Sequence, residues 1–140
     1  MKERVRDVMT PSPRTVSDRA TLRDAAKVMR DDDIGAVVVL DANGGLRGIL
    51  TDRDLVVRGL AASYEPDRAM VADVCSDHLM TLAPEDALDA AVETMRRHGI
   101  RRVPVVKTGK IVGIISLGDL AVRRDPDSAL GQISSAPPNR

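Results

Sequence analysis

The chain is written twice. Sliding the sequence by 66 residues places Asp7-Val8 on Asp73-Val74, Leu22 on Leu88, Ala25 on Ala91 and Met29-Arg30 on Met95-Arg96. Ile34 then meets Ile100, Val37 meets Val103 and Val39 meets Val105. One deletion in the turn Asn43-Gly44-Gly45 changes the offset to 65, after which Gly48-Ile49 meets Gly113-Ile114 and Asp54-Leu55 meets Asp119-Leu120. An ordered match with a single gap is a duplication, and an internal repeat constrains the fold before any local pattern does.

Each copy reads as β-α-β-β-α. A short extended piece at Thr15-Val16 or Thr81-Leu82 precedes apolar residues at helical spacing, Leu22, Ala25, Ala26 and Met29 or Leu88, Ala91, Val92 and Met95. Asp18 and Pro84-Glu85 read as helix start signals, and Gly99 or the run Asp31 to Asp33 as the ends. Two β-rich runs follow in each copy, Ala36 to Leu40 with Leu46 to Leu50, and Val103 to Val106 with Ile111 to Ile115. Their nearly continuous apolar character predicts strands buried on both faces. A last helix opens at Thr51 or Ser116. One unit is too small to bury its own sheet. The expected architecture is therefore α+β, two repeats packed sheet to sheet with pseudo-two-fold symmetry. Repeat one spans 5–61, a linker 62–69, repeat two 70–123, and a tail 124–140 with a short helix near Asp127 to Ile133.

Composition narrows the function. The 21 basic and 21 acidic side chains cancel, so nothing points to nucleic acid. Tyr64 is the one aromatic residue, so stacking platforms are missing and the core must be aliphatic. Cys75 is the one cysteine, which rules out an internal disulfide and fits a reducing compartment. The start MKERVRD lacks an apolar signal core, and no apolar run is long enough to span a bilayer, so the expectation is a cytoplasmic protein with no membrane partner.

The sharpest motif occurs at equivalent places in both copies. Gly48-Ile49-Leu50-Thr51-Asp52-Arg53-Asp54 and Gly113-Ile114-Ile115-Ser116-Leu117-Gly118-Asp119 both read glycine, two apolar residues, a hydroxyl, two variable residues, then aspartate. With Met9-Thr10-Pro11 and Arg101-Arg102-Val103-Pro104-Val105, this resembles a tandem pair of CBS domains, a Bateman module, over residues 5–123. The run Thr51 to Leu55 with Arg58-Gly59-Leu60 is similar to that of small stand-alone bacterial pairs, including the hypoxic-response type. The resemblance implies a regulatory module that binds an adenine nucleotide (AMP, ADP, ATP or a related adenosyl ligand) in clefts between the repeats. It also implies a homodimer, no required cofactor and no catalytic residues. No effector domain is expected in the same chain, so an unidentified protein effector would read the output in trans.

The residue chemistry agrees with that use. A helix N-terminus favours an anion. The Thr51 or Ser116 hydroxyl can reach a phosphate, and the Asp54 or Asp119 carboxylate can accept from both hydroxyls of a ribose. By resemblance the base lies against Thr15, Val16, Ala36 and Val37 in site one, and against Thr81, Leu82, Arg102, Val103 and Pro104 in site two. Arg101 and Arg102 stand where copy one has Gly35 and Ala36, so the second copy is the expected phosphate binder. Thr-x-x-Asp and Ser-x-x-Asp are also helix capping boxes, a role compatible with ligand contact. Two rival readings remain: a dimerisation module with empty clefts, and a metal-linked stress protein using Cys75 and His78 with His98. Zinc needs three or four ligands at suitable spacing, and only two of these lie close in sequence.

Overall fold

The continuous apolar runs and the 3.6-residue pattern turn into strands and helices in the expected order. A computed structural model describes residues 3–76 and 79–136. It contains α1 (Val5–Val8), β1 (Thr10–Pro11), β2 (Thr15–Ser17), α2 (Leu22–Asp32), β3 (Ala36–Leu40) and β4 (Leu46–Thr51). A π-helical segment (Asp54–Leu60) and a 3₁₀ turn (Val71–Asp73) follow. Then come α3 (Leu88–His98), β5 (Arg102–Lys107), β6 (Lys110–Ser116), α4 (Leu117–Arg124) and α5 (Ala129–Ser135).

The helices start later than Asp18 and Pro84-Glu85 suggest. Thr21 caps α2, its hydroxyl accepting from Asp24 N at 3.1 Å while Asp24 Oδ2 accepts from Thr21 N at 3.3 Å. In α3 the cap position is Ala87, which offers no side-chain acceptor. Both helices end on a left-handed residue, Asp33 at φ 57° and Gly99 at φ 62°, so the acidic run does by Asp33 what glycine does in the second copy. Leu22, Ala25 and Met29 are buried, as are Leu88, Ala91 and Met95. Ala26 and Val92, expected on the same faces, are exposed instead.

By contact the chain divides after Pro13 and after Leu79 into two units. The unit running from Arg14 to Leu79 holds a sheet in the order β2-β3-β4, with β2 parallel to β3 and β3 antiparallel to β4. Ser76 adds a bridge beyond β4 to Ile49. The other unit has the order β1-β6-β5, and Leu82 bridges Val105 beyond β5. The repeat in sequence and the unit in space are thus offset. The segment leading into each repeat completes the sheet of the other: β1 pairs with β6, and Ser76 pairs with β4.

The cores follow the same exchange. Val71, Val74 and Cys75 are buried with Leu22, Ala25, Met29, Val37, Val39 and Leu50. Their equivalents Val5, Val8 and Met9 pack with Leu82, Leu88, Ala91, Met95, Val103, Val105 and Ile115. Here the motif glycines find their reason. A Cβ on Gly48 would stand 2.2 Å from the Ser76 carbonyl oxygen, and one on Gly113 would stand 2.4 Å from Met9 Sδ. Only glycine lets the lead-in segment approach that closely. The linker is equally integrated, since Ala69 is buried and its carbonyl accepts from Leu22 N at 3.2 Å. No helix of the described residues is long and apolar enough to cross a membrane.

Candidate functional site

The two motif turns fold alike. In the unit of β2-β3-β4, Thr51 Oγ1 accepts from Asp54 N at 3.1 Å and Asp54 Oδ2 accepts from Thr51 N at 2.9 Å. In the other unit, Ser116 Oγ accepts from Asp119 N at 3.0 Å and Asp119 Oδ2 accepts from Ser116 N at 2.9 Å. Both motifs are reciprocal capping boxes. Each uses one carboxylate oxygen, which leaves Oδ1 of Asp54 and of Asp119 able to accept from a ligand.

The backbone donors at these turns are mostly engaged, unlike the open helix start that the sequence suggests. Asp52 N donates to the Gly35 carbonyl at 3.0 Å and Arg53 N to Asp52 Oδ1 at 2.8 Å. In the second turn Leu117 N donates to the Arg101 carbonyl at 2.8 Å. Gly118 N alone of these first-turn amides has no acceptor among the described residues. The helices also differ. The second copy continues as α4, whereas Asp54–Leu60 is wound as a π-helix, with Ala61 N donating to the Val56 carbonyl at 2.9 Å.

The other candidates fall into two classes. Ala36 pairs with Thr51 across the β3–β4 ladder, and Arg102 with Ser116 across β5–β6, so both lie beside the cap hydroxyls. Thr15 and Val16 pair with Val38 and Val39 on the far side of β3. Thr15, Thr81, Arg101 and Arg102 are exposed, and Val16 and Ala36 are half-buried. Val37, Val103 and Leu82 turn their side chains into the cores, and Pro104 is fully buried. Those four can offer a ligand little beyond backbone. The Arg101 and Arg102 guanidiniums make no hydrogen bond or ion pair among the described residues.

Two further features, a pair of apolar grooves and the placement of the last helix beside the second turn, carry no signal in the sequence. A groove of about 590 Å³ runs between α3 and α4, lined by Val92, Met95, Ile100, Leu117 and Leu120 with Arg101 at its edge. Its counterpart of about 290 Å³ lies between α2 and the π-helical segment, and Tyr64 lines it. On the rim of the latter, Arg23 donates to Asp67, and that hydrogen bond holds the Asp67 carboxyl below the usual carboxylate range. The second feature is α5. Its Ser134 Oγ would lie 2.9 Å from a Cβ on residue 118, so glycine there makes room for the last helix beside the second turn.

Cys75 is buried against Gly48, in the place Met9 takes against Gly113. His78 lies outside the described residues, and His98 is exposed in the last turn of α3. Among the described residues no three His, Cys, Asp or Glu side chains gather into a metal-binding group.

A family model described as CBS domain matches residues 5–59 and 71–124, most of the chain. Hypoxic response protein 1 of Mycobacterium tuberculosis is 35% identical over 131 residues, 94% of this chain and 91% of that protein. A crystal structure of Hypoxic Response Protein I with two coordinated zinc ions superposes with a TM-score of 0.79 at 34% identity, covering 89% of this chain and 100% of that one. A CBS-domain pair solved with 5′-methylthioadenosine and S-adenosyl-L-methionine gives a TM-score of 0.76 at 24% identity, over 86% of this chain and 94% of that one, a likeness of fold. The chain belongs to the CBS-domain family.

Proposed function

We propose that this CBS-domain pair is a regulatory module that binds an adenosyl ligand, AMP, ADP, ATP or a relative, at its two motif turns. The observation that carries the reading is the twin geometry at Thr51–Asp54 and Ser116–Asp119. Each turn leaves one oxygen of a fixed carboxylate to accept a ribose hydroxyl. In the second unit the exposed Arg101 and Arg102 guanidiniums add a partner for phosphate. The fold itself accommodates adenosyl groups, in the pair solved with two of them. Thr15, Val16, Ala36 and Val37 in one unit, and Thr81, Leu82, Val103 and Pro104 in the other, form the base side of each site. The four enclosed residues act there through backbone.

Binding shifts the population of conformations, and a protein effector reads the change. The module works as a homodimer. Exposed apolar side chains on the helices of each unit, Val56 and Leu60 in one and Val92 and Leu117 in the other, support contacts between copies. Titrating AMP against Asp54→Ala, Asp119→Ala and the double variant tests the reading. Each single change removes one site and the double change removes binding. Unaltered AMP affinity in the double variant refutes the assignment.

A further inference from the structure

The two motif turns differ in a residue that the adenosyl reading does not use. Asp52 follows the cap hydroxyl of the first turn, where the second turn has Leu117. Its exposed carboxylate accepts the Arg53 amide through Oδ1 at 2.8 Å. The amide that stays open at Gly118 is therefore closed in the first turn by an anion belonging to the chain itself.

The surrounding charges point the same way. Beside the first turn stand two carboxylates, Asp52 and Asp54, against the guanidinium of Arg53, and the residues across the ladder are Gly35 and Ala36. Beside the second stand the guanidiniums of Arg101 and Arg102 against the carboxylate of Asp119. A phosphate monoester, carrying roughly −1.5 to −2 at neutral pH, meets a carboxylate surplus in one place and a guanidinium surplus in the other.

We propose that Asp52 is a specificity residue that excludes phosphate from the first turn. The first unit then selects an uncharged or cationic adenosyl group, and the second a phosphorylated adenine nucleotide. The proposal rests on the reading of both turns as adenosyl sites. Like charges about 5 Å apart at a partly solvated surface weaken binding by about tenfold or more, and salt reduces the effect.

The test isolates the first site in the Asp119→Ala background and titrates adenosine and AMP calorimetrically at low salt. Asp119→Asn, which keeps an acceptor for the cap, serves as a second background and guards against loss of fold. AMP is expected to bind about tenfold or more weakly than adenosine. Adding Asp52→Asn, whose amide oxygen can still accept the Arg53 amide, should bring the two within about threefold and leave adenosine unchanged. Equal affinities before that change, or a ratio that Asp52→Asn does not move, overturn the inference while the adenosyl reading stands. If the native protein binds none of adenosine, AMP, ADP and ATP, the adenosyl reading falls and the inference with it; binding of ADP or ATP without adenosine overturns the inference and leaves that reading standing.

Discussion

Gly48→Ala probes the exchanged lead-in segments most sharply. The added methyl group would stand 2.2 Å from the Ser76 carbonyl oxygen and 3.2 Å from Cys75 Sγ. A carbon–oxygen contact settles at about 3.3 Å, so the segment must retreat by roughly 1 Å. That retreat breaks the bridge in which Ile49 N donates to the Ser76 carbonyl at 3.3 Å and Ser76 N to the Ile49 carbonyl at 3.0 Å. Two hydrogen bonds at about 1 kcal/mol each, with about 1–3 kcal/mol of overpacking, give a loss of about 3–5 kcal/mol. The equivalent change Gly113→Ala meets Met9 Sδ at 2.4 Å, in a flexible side chain that can turn aside, and backbone only at the Thr10 carbonyl oxygen, 3.0 Å away. Its cost should be nearer 1–2 kcal/mol, about that of ordinary overpacking. Combining it with Met9→Ala should cost less than the two separate changes together. Urea denaturation followed by circular dichroism measures all of these as shifts in midpoint. A Gly48→Ala protein within about 0.5 kcal/mol of the native one, or less damaged than Gly113→Ala, refutes the exchange.

Val5→Ala should cost about 2 kcal/mol, since Val5 is fully buried beside Leu88 and Ile115. Hydrogen exchange should quicken in β5 and β6 while β3 and β4 keep their protection, and the reverse pattern would contradict the assignment of α1 to that unit. Ser116→Ala removes a cap acceptor and should lower stability by about 1 kcal/mol in thermal melts, whereas Ser116→Thr should change it little. Asp67 is held below its unfolded pKa chiefly by the hydrogen bond from Arg23. Its contribution is therefore full above the unfolded carboxylate pKa and lost as pH falls through the lower folded value. Asp67→Asn should flatten that part of the acid dependence, and high salt should shrink the difference because the pair is exposed. An identical acid profile in the variant would show that the pair contributes nothing.

Much of this was legible because it is local. The helix faces at Leu22, Ala25 and Met29 follow from spacing, and both capping boxes follow from a hydroxyl three residues before an aspartate. The short last helix, expected near Asp127 to Ile133, forms at Ala129–Ser135. What escaped the sequence is non-local. No periodicity says that residues leading into one repeat complete the sheet of the other, although the paired glycines Gly48 and Gly113 carried the hint. The π-winding after Asp54 left no signature in Leu55, Val56 or Val57, and we find no physical cause for it. Enclosure of Val37 and Val103 was implied by their apolar runs, yet the resemblance placed them beside the base. Asp52 was passed over because its partner is the amide of its own neighbour, which spacing does not reveal.

An adenosyl ligand held at the two motif turns would stabilise the folded chain. Thermal unfolding with adenosine, AMP, ADP and ATP each at a large excess tests it most directly, with the Asp54→Ala, Asp119→Ala double variant alongside. At 100 times its dissociation constant a ligand that binds only the folded chain adds about 2.7 kcal/mol. The account predicts a shift of that order for at least one of these ligands with the native protein, and none with the double variant. An unshifted native protein across the panel, or an equal shift in the double variant, contradicts it.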